Sequence, residues 1–145
     1  MKLTIEQDLS RQEPEIVIRC GLMDERLRRL VEQIKLYSFS LPVRHNGMTR
    51  QVPMEEIYYF ESVDNQTFLY VEREVYECEE KLYALEERLQ GTAFVRVSKN
   101  CILNAAVVAG VRAQVNGRME AVLRNGEKRI VSKHYVKEFR EKFAY

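Results

Sequence analysis

"VVAGVRAQVNGRMEAVLRNGEKRIVS", residues 107–132, decides the fold. "RMEAVLR" alternates along its length, and "VVAGVRAQV" and "KRIVS" on either side are rich in β-branched residues, which suit a half-buried pleated surface. Asn116-Gly117 and Asn125-Gly126 separate the three runs. Asn-Gly supplies the positive φ angles of a type I′ turn, so both dipeptides predict tight hairpins and a three-stranded antiparallel meander.

The same pattern extends toward the N terminus. Asn46-Gly47 predicts another hairpin, and "IYYFES" (57–62) and "TFLYVE" (67–72) form a strand pair joined by Val63-Asp64-Asn65-Gln66. "FVRVSKNCILN" (94–104) reads as two apolar strand-like stretches around a polar tip, Ser98-Lys99-Asn100. A single helix is expected over 77–90, because Cys78, Leu82, Leu85 and Leu89 lie at helical spacing and Gly91 stands where a left-handed cap is needed. "KHYVKEFREKF" (133–143) predicts a short final helix with Tyr135 or Val136, Phe139 and Phe143 facing inward.

The first forty residues read as a small ββα unit. "EIVIRCGL" (15–22) has strand character, a weaker strand is expected around Leu3 to Gln7, and Asp24 can cap a helix bearing Leu27, Leu30, Val31 and Ile34 on one face. Leu41-Pro42 marks the boundary. The expected fold is therefore mainly β: an antiparallel domain at 41–145 with one interrupting helix, preceded by the ββα unit at 1–40.

Composition narrows the function. With 145 residues, 46% of them apolar and 31% charged, the chain suits a soluble globular protein. No apolar run approaches the roughly 20 residues of a membrane span. The charged start "MKLTIEQDLSRQEPE" lacks the apolar core of an export signal, so a cytoplasmic location without membrane insertion is expected. Cys20, Cys78 and Cys101 are widely spaced, and with only two His they offer no metal-ligand spacing. They read as reduced core thiols, with no metal and no cofactor. Without a Gly-rich phosphate loop, "HExxH" or "GxSxG", the chain is not expected to be an enzyme.

The formal net charge of +1 hides a polarised chain. Residues 54–90 hold three basic and eleven acidic side chains, a net of −8, whereas residues 91–145 hold eleven basic and four acidic ones, a net of +7. A basic face would attract a polyanion, although the two halves could equally neutralise each other across a sheet. "ECEEKLYALEERLQ" (77–90) carries five Glu, and a helix so charged cannot lie among phosphates. Any reading of DNA must then fall to loops or strand ends. Ser98, Lys99 and Asn100 combine hydroxyl, ammonium and amide groups that suit phosphates and base edges; they are also ordinary turn residues.

At this point four blocks in order, "IYYFESVDNQTFLY" (57–70), "EKLYALEERL" (80–89), "FVRVSKNCILN" and "NGEKRIVSKHYVKEF" (125–139), resemble the LytTR-type DNA-binding domain of bacterial transcription regulators. The resemblance is anchored on Glu61-Ser62, on 94–104, and on Asn125-Gly126 followed by Val131-Ser132. It implies an elongated β domain whose loops enter successive major grooves of double-stranded DNA from one side, commonly at paired direct-repeat sites. Carried over block by block, the first contact loop falls on Asn65, Gln66 and Thr67. The second falls on Ser98, Lys99 and Asn100, and the third on Lys133 and His134.

There are departures from the family pattern. Thr67-Phe68 stands where some relatives offer basic or imidazole side chains, and Lys133-His134 stands where Arg is frequent; Lys lacks the bidentate fork of Arg. Arg96, Arg118, Arg124, Lys128, Arg129 and Lys133 are expected to neutralise phosphates, although strand neighbours point to opposite sides. If about four to six of them do, log affinity should fall with log salt at a slope of roughly −4 to −5.

Many relatives carry a phosphorylatable receiver domain ahead of this module. Forty residues are too few for one, so signalling input is expected to be either absent or supplied by another, upstream signalling protein. The apolar stripe of the N-terminal helix suggests pairing into a homodimer, the alternative being that it packs on its own β domain. The competing function is a protein-interaction module whose basic face meets an acidic partner. An RNA-binding sheet ranks lower, because Tyr58, Phe60, Phe68 and Tyr70 alternate in a way that suits burial.

Overall fold

In the computed structural model, which describes residues 1–37 and 39–143, the chain builds three α-helices and ten strands. Their order is α1 (Glu25–Tyr37), β1 (Ser40–His45), β2 (Met48–Pro53), β3 (Tyr59–Val63), β4 (Gln66–Tyr70), β5 (Val75–Cys78), α2 (Leu82–Arg88), β6 (Phe94–Ser98), β7 (Cys101–Asn104), β8 (Val108–Ala113), β9 (Met119–Leu123), β10 (Lys128–Val131) and α3 (Val136–Phe143). One sheet has seven strands in the order β2-β1-β5-β4-β3-β7-β6, and the other is the expected meander, β10-β9-β8. All the pairings are antiparallel. The mainly β expectation holds, although the outer limit at 145 lies outside the described residues.

Turn chemistry accounts for most of the hairpins. Asn46 and Gly47 adopt φ 52° and 74°, and Asp64 and Asn65 adopt φ 50° and 65°, so both links are left-handed two-residue turns. Asn125-Gly126 departs from that expectation, because only Gly126 is left-handed (φ 88°). There Gly126 N–H donates to Leu123 O at 2.9 Å and Leu123 N–H to Glu127 O at 2.8 Å, a longer turn closed by a left-handed glycine.

Two further expectations are corrected. Neither N-terminal strand forms: among the described residues 1–24 there is no strand, and Ile16 and Val17 are 64% and 58% exposed. A strand needs a ladder partner, and this stretch pairs with no sheet edge among the described residues. The expected helix over 77–90 is split. Cys78 belongs to β5, where it pairs with Thr67, and α2 begins only at Leu82. Tyr76 and Cys78 are buried alternately with exposed Val75 and Glu77, so cross-strand pairing overrides the helical spacing. Leu82, Leu85 and Leu89 are buried as the helical reading requires, and Gly91 takes φ 75°.

Two apolar clusters form the core. Leu36, Leu41, Phe60, Leu69, Leu85, Leu89 and Ile102 fill one, beneath α1 and α2. Tyr59, Val97, Leu103, Ala121, Leu123, Val131 and Phe139 fill the other, between the meander, β6 and α3. Fully burying a side chain such as Phe139 contributes about 1.5–3 kcal/mol relative to exposure. Asp24 caps α1 as expected, accepting from Leu27 N–H at 2.8 Å. That helix packs on the β domain through buried Leu36 and through Lys142 Nζ, 3.4 Å from Glu32.

Candidate nucleic-acid interface

Strand direction and pairing decide where the polar tips go. Glu61 of β3 pairs with Cys101 of β7, and Ser62 N–H donates to Asn100 O at 2.8 Å, so the Asp64-Asn65 and Lys99-Asn100 turns are neighbours. Ser132 N–H donates to Val97 O at 2.8 Å, which brings the end of β10 beside the end of β6. Val131 pairs with Met119, so the turn at 115–118 ends up there too. The Lys133 stem lies over Gly117 of that turn, within 3.1 Å of a methyl group built there. Residues 64–66, 98–100, 115–118 and 132–134 thus share one end of the molecule. The segment at 115–118 was legible only as a hairpin; its Asn116 is exposed, with φ 67°.

Each candidate residue has a definite place. Asn65, Gln66, Lys99, Asn100, Lys133 and His134 are exposed. Ser98 is half-buried, its hydroxyl accepting from Asn100 N–H at 3.2 Å. Lys99, Arg118 and Lys133 have no ion pair among the described residues. Thr67 is 2% exposed, so its side chain faces the interior and not a groove. Lys128 begins β10 at the end away from the tips, about 10 Å from Val131 at a strand's rise per residue. Arg124 sits in the far turn, where Asn125 Nδ2 donates to Glu72 O at 2.9 Å.

Two cations expected on phosphates are engaged within the protein. Arg96 pairs with Glu86 of α2 and donates through Nη1 to Lys99 O at 2.5 Å, so it braces the second tip. Arg129 pairs with Glu61, each side chain about a quarter exposed at 24% and 25%. Its guanidinium lies 4.3 Å from the Tyr59 ring centroid. Tyr59 stacks on Tyr70 at 4.2 Å and donates to Glu127 at 3.0 Å, and its phenol is held above the usual range, chiefly by burial. These pairings realise in part the neutralisation between acidic and basic halves. Lys81 likewise braces the first tip, donating to Asn65 O at 2.5 Å. Nothing in the local sequence marks Glu61–Arg129 or Lys81–Asn65, which are separated by 68 and 16 positions.

Cys78 and Cys101 are buried free thiols, but Cys20 is exposed and is not a core residue, because the segment carrying it packs on no sheet. Among the described residues no group of three or more His, Cys, Asp or Glu is arranged to hold a metal ion. No described helix is long and apolar enough to cross a membrane.

The model of the LytTr DNA-binding domain matches residues 47–144, which include all four tips. The chain belongs to the LytTR family. It is 30% identical over 107 residues to the sensory transduction protein LytT of Enterococcus faecalis, covering 74% of this chain and 44% of that protein. It is 27% identical over 101 residues to the transcriptional regulatory protein LytR of Staphylococcus aureus, covering 70% of this chain and 41% of the relative. The LytTR chain described here therefore spans less than half the length of these relatives. A solved LytTr DNA-binding domain from Bacillus cereus has the same fold, with a TM-score of 0.68 at 21% identity, over 73% of this chain and 97% of that one.

Proposed function

We propose that this LytTR chain is a transcriptional regulator that recognises double-stranded DNA by inserting inter-strand turns into successive major grooves. The observation that carries this reading is the meeting of four polar turns at one end, with Lys99, Arg118 and Lys133 exposed there. Such an end offers point charges for phosphates, and amides and a hydroxyl for base edges. A recognition helix is disfavoured: α2 presents Glu86 and Glu87 to solvent, which phosphates would repel.

The contact set under this reading is Asn65, Gln66, Ser98, Lys99, Asn100, Lys133 and His134, with Asn116 and Arg118 added from the meander turn. Thr67, Arg96 and Arg129 hold the shape of the tips, and Lys128 lies beyond the reading end.

A single module with so few contacts binds weakly, so paired direct-repeat sites and two modules would multiply affinity and specificity. Residues on or beside α1 offer apolar surface for such a homodimer, Met23 and Leu30 each being 40% exposed. Light scattering on the full chain and on Leu30→Glu tests the pairing, which is rejected if both are monomers. An upstream signalling protein supplies the input in this scheme.

The decisive experiment is selection of bound sites from random duplex DNA, followed by titration of the recovered duplex. Enrichment of a repeated half-site is the expected result. Recovery of no sequence, together with binding to an acidic protein surface, would replace this reading with the protein-interaction one.

A further inference from the structure

We propose that the Arg129–Glu61 pair is a positioning element that fixes the spacing between the tips, and so sets which duplex the chain prefers more than how firmly it holds phosphate. The inference rests on the DNA-binding reading above. The ion pair ties the meander to β3, and Glu61 is itself paired across the ladder with Cys101 of β7, so three strands meet here and each leads directly into a different tip. Glu61 lies on β3, three positions before Asp64; Cys101 opens β7 directly after Asn100; Arg129 lies on β10, four positions before Lys133. The contact also joins the two sheets, since Glu61 belongs to the seven-stranded one and Arg129 to the meander.

The chemistry suits registration better than stability. A partly buried ion pair must offset the desolvation of two charges, and apolar residues of similar size often serve stability equally well. What a guanidinium fork adds is direction: planar donors and a face that lies on Tyr59 allow one arrangement of the neighbouring strands. The first and third tips stand about 10 Å or more along their strands from Glu61 and Arg129, so a small rotation of one sheet is magnified at its turn. Base-edge hydrogen bonds operate within a few tenths of an ångström and are lost first. Phosphate attraction is long-ranged and tolerates the shift.

Charge alone predicts the opposite of positioning, which makes the pair testable. Removing the Glu61 carboxylate takes a negative charge from the reading end and frees a cation, so simple electrostatics predicts tighter binding to any duplex. Positioning predicts a loss confined to the preferred one. The full chain, E61Q and R129K are titrated with the duplex recovered by selection and with a scrambled duplex of the same composition. Both variants are expected to lose about tenfold or more on the selected duplex, comparable to a mismatched base pair, and to stay within about twofold on the scrambled one. R129K retains the charge and serves if E61Q does not fold. Equal changes on both duplexes, in either direction, overturn the proposal, as does no change on either. A wild-type chain with no preferred duplex defeats the DNA-reading function itself, before any variant is compared.

Discussion

Lys133 lies across Gly117, where a methyl group would meet its Cγ at 3.1 Å in a backbone of φ +76°. The turn between β8 and β9 and the third tip are therefore one packed unit. Gly117→Ala is expected to cost about 1 kcal/mol through the left-handed backbone, with a further loss from moving Lys133. Thermal melts of Gly117→Ala, Lys133→Ala and the double variant form a cycle that checks this. If the glycine substitution costs as much without the lysine as with it, the contact carries no coupling.

Lys99 heads the second tip, and its side chain has no ion pair among the described residues. Lys99→Ala should weaken binding to the selected duplex by about 1–3 kcal/mol and leave the melting temperature unchanged. With Lys99, Arg118 and Lys133 as the cations at the reading end, log affinity should fall with log salt at a slope of about −3, and each removal should reduce it by about 0.9. That is shallower than six basic residues counted along the chain suggest. Lys128→Ala is the control, and a change in slope there would place the far end of β10 on the duplex.

Asn104 is 1% exposed, donates to Ile57 O at 3.0 Å and accepts from Ala106 N–H at 3.0 Å. Truncation leaves the buried Ile57 carbonyl and the part-buried Ala106 N–H without this partner. Asn104→Ala should cost about 2 kcal/mol, read as a lower denaturant midpoint at unchanged slope.

The thiols should react unequally. Burial pushes Cys101 up to about 11 from an ordinary 9.0, with the nearby Arg129 pulling the other way. Cys20 is exposed and should alkylate readily near neutral pH, while Cys78 and Cys101 stay protected until the fold opens. Because the folded state favours the neutral Cys101 thiol, its contribution to stability is full below pH 9 and is lost as pH climbs toward about 11. Melts across that range should fall progressively; a flat profile would contradict the burial.

The meander and the final helix were legible because their signals are local: Asn-Gly turns, alternation, and Phe139 at helical spacing. The strand through Cys78 was hidden, since its pairing with Thr67 lies eleven positions away and its spacing to Leu82 fits a helix equally well. "EIVIRCGL" shows the converse, strand character with no edge to join. At the candidate site, the polar tips stood out as turns between apolar runs. The burial of Thr67 and the capture of Arg96 and Arg129 by Glu86 and Glu61 did not, because charge counting cannot tell a free cation from one already neutralised.

The end that carries the four tips is built from excursions of only a few residues on strands whose inward side chains are packed. Lys99 and Asn100 can be exchanged for other polar residues without disturbing Val97 or Ile102 beneath them. Under the proposed reading, descendants of this chain can drift toward new operators one turn at a time, diverging in target long before they diverge in shape.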